Sequence, residues 1–423
     1  MELQLQRLLL ILTPCLFAAD LVQSFFYLKA ADAREGASHM SHGLYYGCFV
    51  AFFGAMMFAI LAPSLPLMWV AVELTTLVSA PLIAYHRTKE SLEAMWKYLL
   101  VCSIGIGLAL FGTMLVLHAQ TTGNVQWFKA GFAFVLAGYG TKTGLAPFHT
   151  WLPDAHSEAP APVSALLSGA LLNCSLLAIV RFRCVMPPEA APFCDNAMLA
   201  LGLLSVATAA IFMVRQTDFK RLLAYSSVEH MGLATVLFAL YGLSLHTSAI
   251  DTLRLCKDSH CRGCDLVLFA LCGHLVAHSL TKTMLFQTAG NLLLAFGTRA
   301  IAAVQGLGAT MKGHAALWIL GLLFICGMPP SVLFLTELGL VCTAPVWVST
   351  AVLALLFVVF ASMMKVGLSM TMGRSVNAPA ELPRSLGVVP TLLATALRVG
   401  GVILCVGVAM GAAYGQAGDL RDD

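Results

Sequence analysis

Lys142 stands in the run G-Y-G-T-K-T-G-L-A-P-F-H-T-W-L-P-D-A-H, Gly138 to His156, at the end of an otherwise apolar stretch. The tripeptide T-K-T returns around Lys282 in H-L-V-A-H-S-L-T-K-T-M-L-F, His274 to Phe286. His274, His278 and Lys282 follow one another at i, i+4, i+8, so a helix would carry them as one stripe. Histidine exchanges protons near neutral pH, and a lysine ammonium can give up its proton and take another. Neighbours in such a stripe are about 6 Å apart, which is too far for a direct proton hop without water between them. Glu73, Glu229, His230 and Glu337 stand in further apolar runs. Together these residue types can hold and pass protons.

The elements that position them are set by composition. Hydrophobic residues make up 59% of the chain and charged residues 11%, against about 45–50% and 25% in ordinary globular proteins. A membrane-spanning helix takes about 20 apolar residues, and about twelve such runs follow one another with short polar breaks. They are expected at 7–28, 43–62, 65–84, 95–118, 128–148, 162–182, 194–214, 221–243, 265–296, 314–341, 346–371 and 389–413. Lipid offers the backbone no hydrogen-bond partners, and these runs exceed the length of barrel strands, so an all-α polytopic membrane protein is expected. The first run lacks a small-residue cleavage site and reads as a retained helix. The side holding Arg87, Lys89, Lys97, Arg215, Lys220, Arg221 and Arg299 carries more Lys and Arg than the side with both termini. The termini are therefore expected outside the cytoplasm. The net charge of +3 gives no indication of nucleic acid binding.

A charge at the centre of a membrane helix costs roughly 2.5–3.5 kcal/mol on insertion scales, so each one asks for an explanation. Lys365 and Arg398 can reach the interface along their own stems, and Asp20 reads equally as a buried hydrogen-bonding group or a functional one. Lys142 lies among Gly138, Gly140 and Gly144 and before Pro147, a combination that breaks a helix. Glu337 closes G-M-P-P-S-V-L-F-L-T-E, where Gly327, Pro329 and Pro330 do the same. Broken helices at membrane depth belong beside protein or a water-filled cavity, and two of them carrying ionisable groups point to a transport site.

The run Thr141 to Asn173, T-K-T-G-L-A-P-F-H-T-W-L-P-D-A-H-S-E-A-P-A-P-V-S-A-L-L-S-G-A-L-L-N, resembles the antiporter-like proton-translocating subunits of respiratory complex I, Mrp antiporters and membrane-bound hydrogenases. E-L-T-T-L-V-S-A at Glu73, E-A-M-W-K-Y-L-L at Glu93 and S-S-V-E-H-M-G around Glu229 and His230 resemble the hydrogenase-4 component F and formate hydrogenlyase type in particular. The resemblance implies two inverted five-helix repeats, at 43–192 and 193–374, between an N-terminal helix and loop (1–42) and a C-terminal helix and tail (375–423). It also implies a fourteen-helix parent fold, from which this chain is expected to lack the first two helices. By resemblance Glu73 pairs with Lys142, and protons pass from Lys142 by Glu229 or His230, His274 or His278, and Lys282 to Glu337. His149, Asp154 and His156 would connect Lys142 to water. Relatives in complex I commonly have a second lysine where this chain has Asn173.

No dinucleotide fingerprint, phosphate-binding loop or nucleophile constellation is present, so no cofactor is expected on this chain. The resemblance places iron–sulfur clusters and a nickel–iron centre in peripheral partner subunits, beside further membrane subunits. Of thirteen cysteines most lie in apolar runs, where they act as small apolar residues. Cys256, Cys261 and Cys264 form C-x4-C-x2-C, the beginning of an iron–sulfur spacing. Cys272 follows too soon to complete it, and disulfides or free thiols are the competing readings. Three functions fit: a proton-translocating subunit of a hydrogenase-like or complex I-like assembly, a sodium/proton antiporter subunit of Mrp type, and a non-conducting scaffold. Each places the chain in a bacterial or archaeal cell (inner) membrane.

Overall fold

The computed structural model describes residues 2–35, 40–246, 262–373 and 379–400. The first half begins with α1 (Glu2–Glu35), α2 (His42–Leu61), α3 (Leu65–Ile83), α4 (Lys89–Thr122) and α5 (Val125–Thr143). A short α6 (Trp151–Glu158) leads to α7 (Ala161–Leu166), a π turn at Leu167–Leu171 and α8 (Leu172–Cys184). There follow α9 (Ala191–Met213), α10 (Phe219–His246), α11 (Arg262–Phe296), the one-turn α12 (Leu307–Thr310), α13 (Lys312–Ile325), α14 (Val332–Thr343) and α15 (Val346–Met372). The backbone is again helical over 388–400.

Among the described residues eight helical segments are long and apolar enough to cross a membrane, where the sequence led us to expect about twelve. The other four expected runs explain the difference. Two contain α5 and α11, which carry Lys142 and Lys282. A third divides into α13 and α14 at the glycine–proline break, and the last continues beyond the described residues. The most apolar stretch of α7–α8 is wholly buried and that of α10 is 94% buried, whereas α15 buries 33% of its own. Lys365 and Arg398 are exposed on the outside, in keeping with the snorkelling reading.

Close helix contact sets the position of α5. A Cβ on Gly138 would stand 2.5 Å from the Ala109 amide nitrogen and the Gly105 carbonyl oxygen, so α4 and α5 meet backbone to backbone. The helix ends where Gly144 takes φ 82°, its amide bonding back to the Gly140 and Thr141 carbonyls. Gly327, at φ 63°, plays the same part after α13, and Ser331 caps α14 by accepting from the Phe334 amide at 3.1 Å.

Candidate functional site

Lys142 lies on the last turn of α5, where the helix dipole favours a cation, and is fully buried. Its Nζ donates to Tyr98 OH at 2.6 Å and Thr76 Oγ1 at 2.9 Å, and lies 4.5 Å from the centre of the Tyr98 ring. Ser79 shares the Tyr98 hydroxyl at 2.7 Å, and Trp151 of α6 packs on Tyr98 while donating to the Thr141 carbonyl at 2.8 Å. The expected direct pairing of Lys142 with Glu73 is not what the structure shows. Glu73 Oε1 accepts from Ser103 at 3.0 Å and its Oε2 is buried without a hydrogen bond. Thr76, one turn along α3 from Glu73, takes the ammonium instead, so two hydroxyls bind the lysine and the carboxylate stands one turn away.

The second cluster lies where α10, α11 and the α13–α14 break meet. Lys282 Nζ donates to the Leu223 carbonyl at 2.7 Å and to Ser226 Oγ. His230 reaches across from α10 between the two histidines of the α11 stripe, with ring centres 5.1 Å from His274 and 5.3 Å from His278. His230 Nδ1 lies 3.3 Å from His274 Nε2, and its Nε2 is 2.9 Å from the Ile325 carbonyl, the last residue of α13. His274 Nδ1 lies 3.2 Å from Thr336 Oγ1, beside Glu337. The gap that the stripe alone leaves is thus filled from a second helix. Glu229 is fully buried, its Oε2 without a hydrogen bond and 3.6 Å from His230 Nε2. The Glu337 carboxylate packs against Gly327, where an added Cβ would overlap Oε2 and lie 2.8 Å from Cδ.

The three residues expected to give water access divide, His149 standing in a 3-10 turn and Asp154 and His156 on α6. Asp154 pairs with Lys97 and, through Oδ1, with Arg221 at 2.5 Å, in a surface network that also holds Glu158 to Arg299. His149 packs near Phe212 and Tyr225. His156 is fully buried with its ring stacked 4.8 Å from Phe286 of α11, and neither ring nitrogen has a hydrogen bond among the described residues. Cys256 and Cys261 lie outside the described residues, and of Cys264 only the helical backbone is described.

Sequence reasoning missed Tyr98, Thr76, Ser226 and Thr336. Thr76 and Ser226 each lie three residues from a candidate carboxylate, a helical spacing that could have marked them. Tyr98 is 44 residues from Lys142, and nothing local links the two. The π turn was also missed. Beneath it Asn173 Nδ2 donates to the Gly169 carbonyl at 2.9 Å and to Ser279 Oγ at 2.8 Å, joining α8 to α11.

The sequence profile of the NADH:quinone oxidoreductase/Mrp antiporter transmembrane family matches residues 62–253 and 265–365. A hydrogenase-4 component F homolog of Methylacidiphilum infernorum is 37% identical over 317 residues, 69% of this chain and 61% of that protein. One of the subunits of an Na(+)/H(+) antiporter of Alkalihalophilus pseudofirmus is 30% identical over 69% of this chain and 37% of its own length. The chain spans less than two thirds of these relatives. A chain of the Mrp complex of a Dietzia species superposes with a TM-score of 0.77 at 17% identity, covering 95% of this chain and 81% of that one. One of respiratory complex I from Thermus thermophilus gives 0.71 at 21%, covering 95% and 92%. At such identities the likeness establishes the fold, and with the profile match it places this multi-pass membrane protein in the NADH:quinone oxidoreductase/Mrp antiporter family.

Proposed function

We propose that this chain is a proton-translocating membrane subunit of a redox-driven, hydrogenase-4-like or complex I-like assembly. The observation that carries the reading is the cross-helix line Lys282, His278, His230, His274 and Thr336. It is fully buried and meets a break in a membrane helix where His230 Nε2 lies 2.9 Å from the Ile325 carbonyl. Burying so many titratable groups, with His230 Nε2 3.6 Å from Glu229 Oε2 as their one carboxylate contact among the described residues, costs stability and is explained by a proton path. Lys142, held by hydroxyls at the other break, is the corresponding station of the first half. We assign the halves to 43–192 and 193–374, the flanking segments to 1–42 and 375–423, and Glu73, Glu229 and Glu337 to the carboxylates between stations. His149 and His156 join the path as water-linked groups, while Asp154 anchors α6.

Glu73 and Glu337 are only half-buried, beside exposed Leu74, Leu77 and Leu338, so the polar line opens onto apolar outer faces. That suits contact with neighbouring membrane subunits. Redox cofactors, iron–sulfur clusters and a nickel–iron centre belong to peripheral partners, and the termini face out of a bacterial or archaeal cell membrane. Affinity purification of the tagged chain in mild detergent should recover iron–sulfur proteins together with a second membrane subunit. Recovery of a lone chain that transports ions by itself would contradict the proposal. The kinship with a subunit of an Na(+)/H(+) antiporter favours one second reading, sodium/proton exchange, which requires transport that depends on sodium.

A further inference from the structure

Helix α11 carries a second polar stripe beside the histidine–lysine one. Ser279, Thr283, Gln287 and Asn291 are spaced i, i+4, i+8, i+12, and all are fully buried. They face α1 and the π turn rather than α10. Ser279 Oγ meets Asn173 at 2.8 Å, and Thr283 lies against Gly169. Gln287 Nε2 donates to Asp20 Oδ1 of α1 at 2.7 Å. Asn291 receives Gln23 Nε2 at 3.3 Å and lies 3.4 Å from His314 Nε2, on the half-buried first turn of α13 next to exposed Lys312. The stripe thus runs from the molecular surface to the centre of the bundle.

Five oxygens along it are not satisfied by protein among the described residues. Asp20 Oδ2, Gln23 Oε1, Gln287 Oε1, Thr283 Oγ1 and Asn173 Oδ1 are all buried without a hydrogen bond among the described residues. Each such atom left dry costs about 1–3 kcal/mol, and ordered water is what satisfies atoms of this kind. Water between groups about 6 Å apart on a helix face is also what proton transfer along them requires. The titratable groups nearest the Asp20 end of the stripe are Tyr45 of α2, whose hydroxyl accepts from Ser24, one turn along α1 from Asp20, at 2.8 Å, and His314 at the far end of the stripe. No lysine or arginine pairs with Asp20 among the described residues.

We propose that Asp20 is the proton-carrying station of this second stripe, which joins the surface beside His314 to Asn173 at the centre of the bundle. The proposal rests on the reading of the chain as a proton translocator. In the transfer the Asp20 carboxyl gives its proton from Oδ2 to a water, the carboxylate keeps the Gln287 hydrogen bond, and a proton arriving from the His314 side restores the acid. Gln23, Gln287 and Asn291 cannot fill this role, since amides do not titrate. Among the side chains of the stripe and those bonded to it, only Asp20 and His314 can.

The test uses the whole assembly in vesicles with Asp20→Asn, which keeps the size and an acceptor for Gln287 but cannot titrate. Proton translocation should fall by about tenfold or more, Asp20→Glu should restore much of it, and a protonated-carboxyl infrared band should vanish in Asp20→Asn. Thr283→Val removes an unpartnered hydroxyl without breaking a protein hydrogen bond, so its several-fold loss reads the stripe independently of any folding defect at Asp20. Wild-type rates in Asp20→Asn or in Thr283→Val would overturn the proposal, as would a new sodium requirement in Asp20→Asn, which would mark a cation site. Lys142→Arg measured in parallel separates the two failures. If it blocks translocation while Asp20→Asn does not, only the Asp20 station falls; if both are silent, the translocator reading falls as well.

Discussion

Lys142→Arg should abolish proton translocation by an assembled complex, with a loss on the order of a hundredfold or more. The guanidinium keeps the positive charge at the end of α5 and can still donate to Tyr98 and Thr76, so the electrostatic and hydrogen-bonding demands of a structural cation are met. What it cannot do is release a proton at any physiological pH. Lys142→Ala should be equally inactive, but it also leaves two buried hydroxyls without their donor and so confounds function with stability. The arginine variant is the more informative. Translocation assayed by a pH-sensitive dye in vesicles, with subunit content checked on native gels, reads the result. Near-normal translocation in Lys142→Arg would remove the lysine from the path.

A comparable loss is expected from Glu337→Gln, and Gly327→Ala should approach it without touching a titratable group. Gly327 combines φ 63° with direct contact to the Glu337 carboxylate. A methyl group there adds roughly 1–2 kcal/mol of backbone strain and displaces Oε2 from the break. If the carboxylate works where it lies, moving it should cost about tenfold or more in translocation. The control is Gly313→Ala, at an exposed glycine whose Cβ would meet nothing, and it should be silent. Wild-type translocation by Glu337→Gln would show that this carboxylate only fills space.

The helix breaks were legible in the sequence because glycine and proline act locally: Gly144 and Pro147 end α5, and Gly327 to Pro330 separate α13 from α14. The histidine–lysine stripe was legible for the same reason, as a periodicity within one helix. His230 was legible as a candidate but not as the residue that inserts between His274 and His278, because its placement depends on how α10 packs on α11. The ligands of Lys142 were hidden further. Tyr98 belongs to another helix and reads as an ordinary aromatic, yet with Thr76 it holds the ammonium that Glu73 was expected to pair with. The second stripe on α11 was present in the sequence at regular spacing. Ser279, Thr283, Gln287 and Asn291 are uncharged, however, and only their partners on α1 and α8 give the spacing a meaning.

The central claim, that protons cross through titratable stations buried in this chain, is tested most directly by the number of protons moved per electron. The measurement compares the wild-type assembly with one carrying Lys142→Arg and Lys282→Arg together, in sodium-free vesicles. Both substitutions keep charge and hydrogen-bond donors, so electron transfer by partner subunits should continue. The account predicts fewer protons per electron in the doubly substituted assembly. An unchanged ratio at an unchanged rate of electron transfer would contradict it.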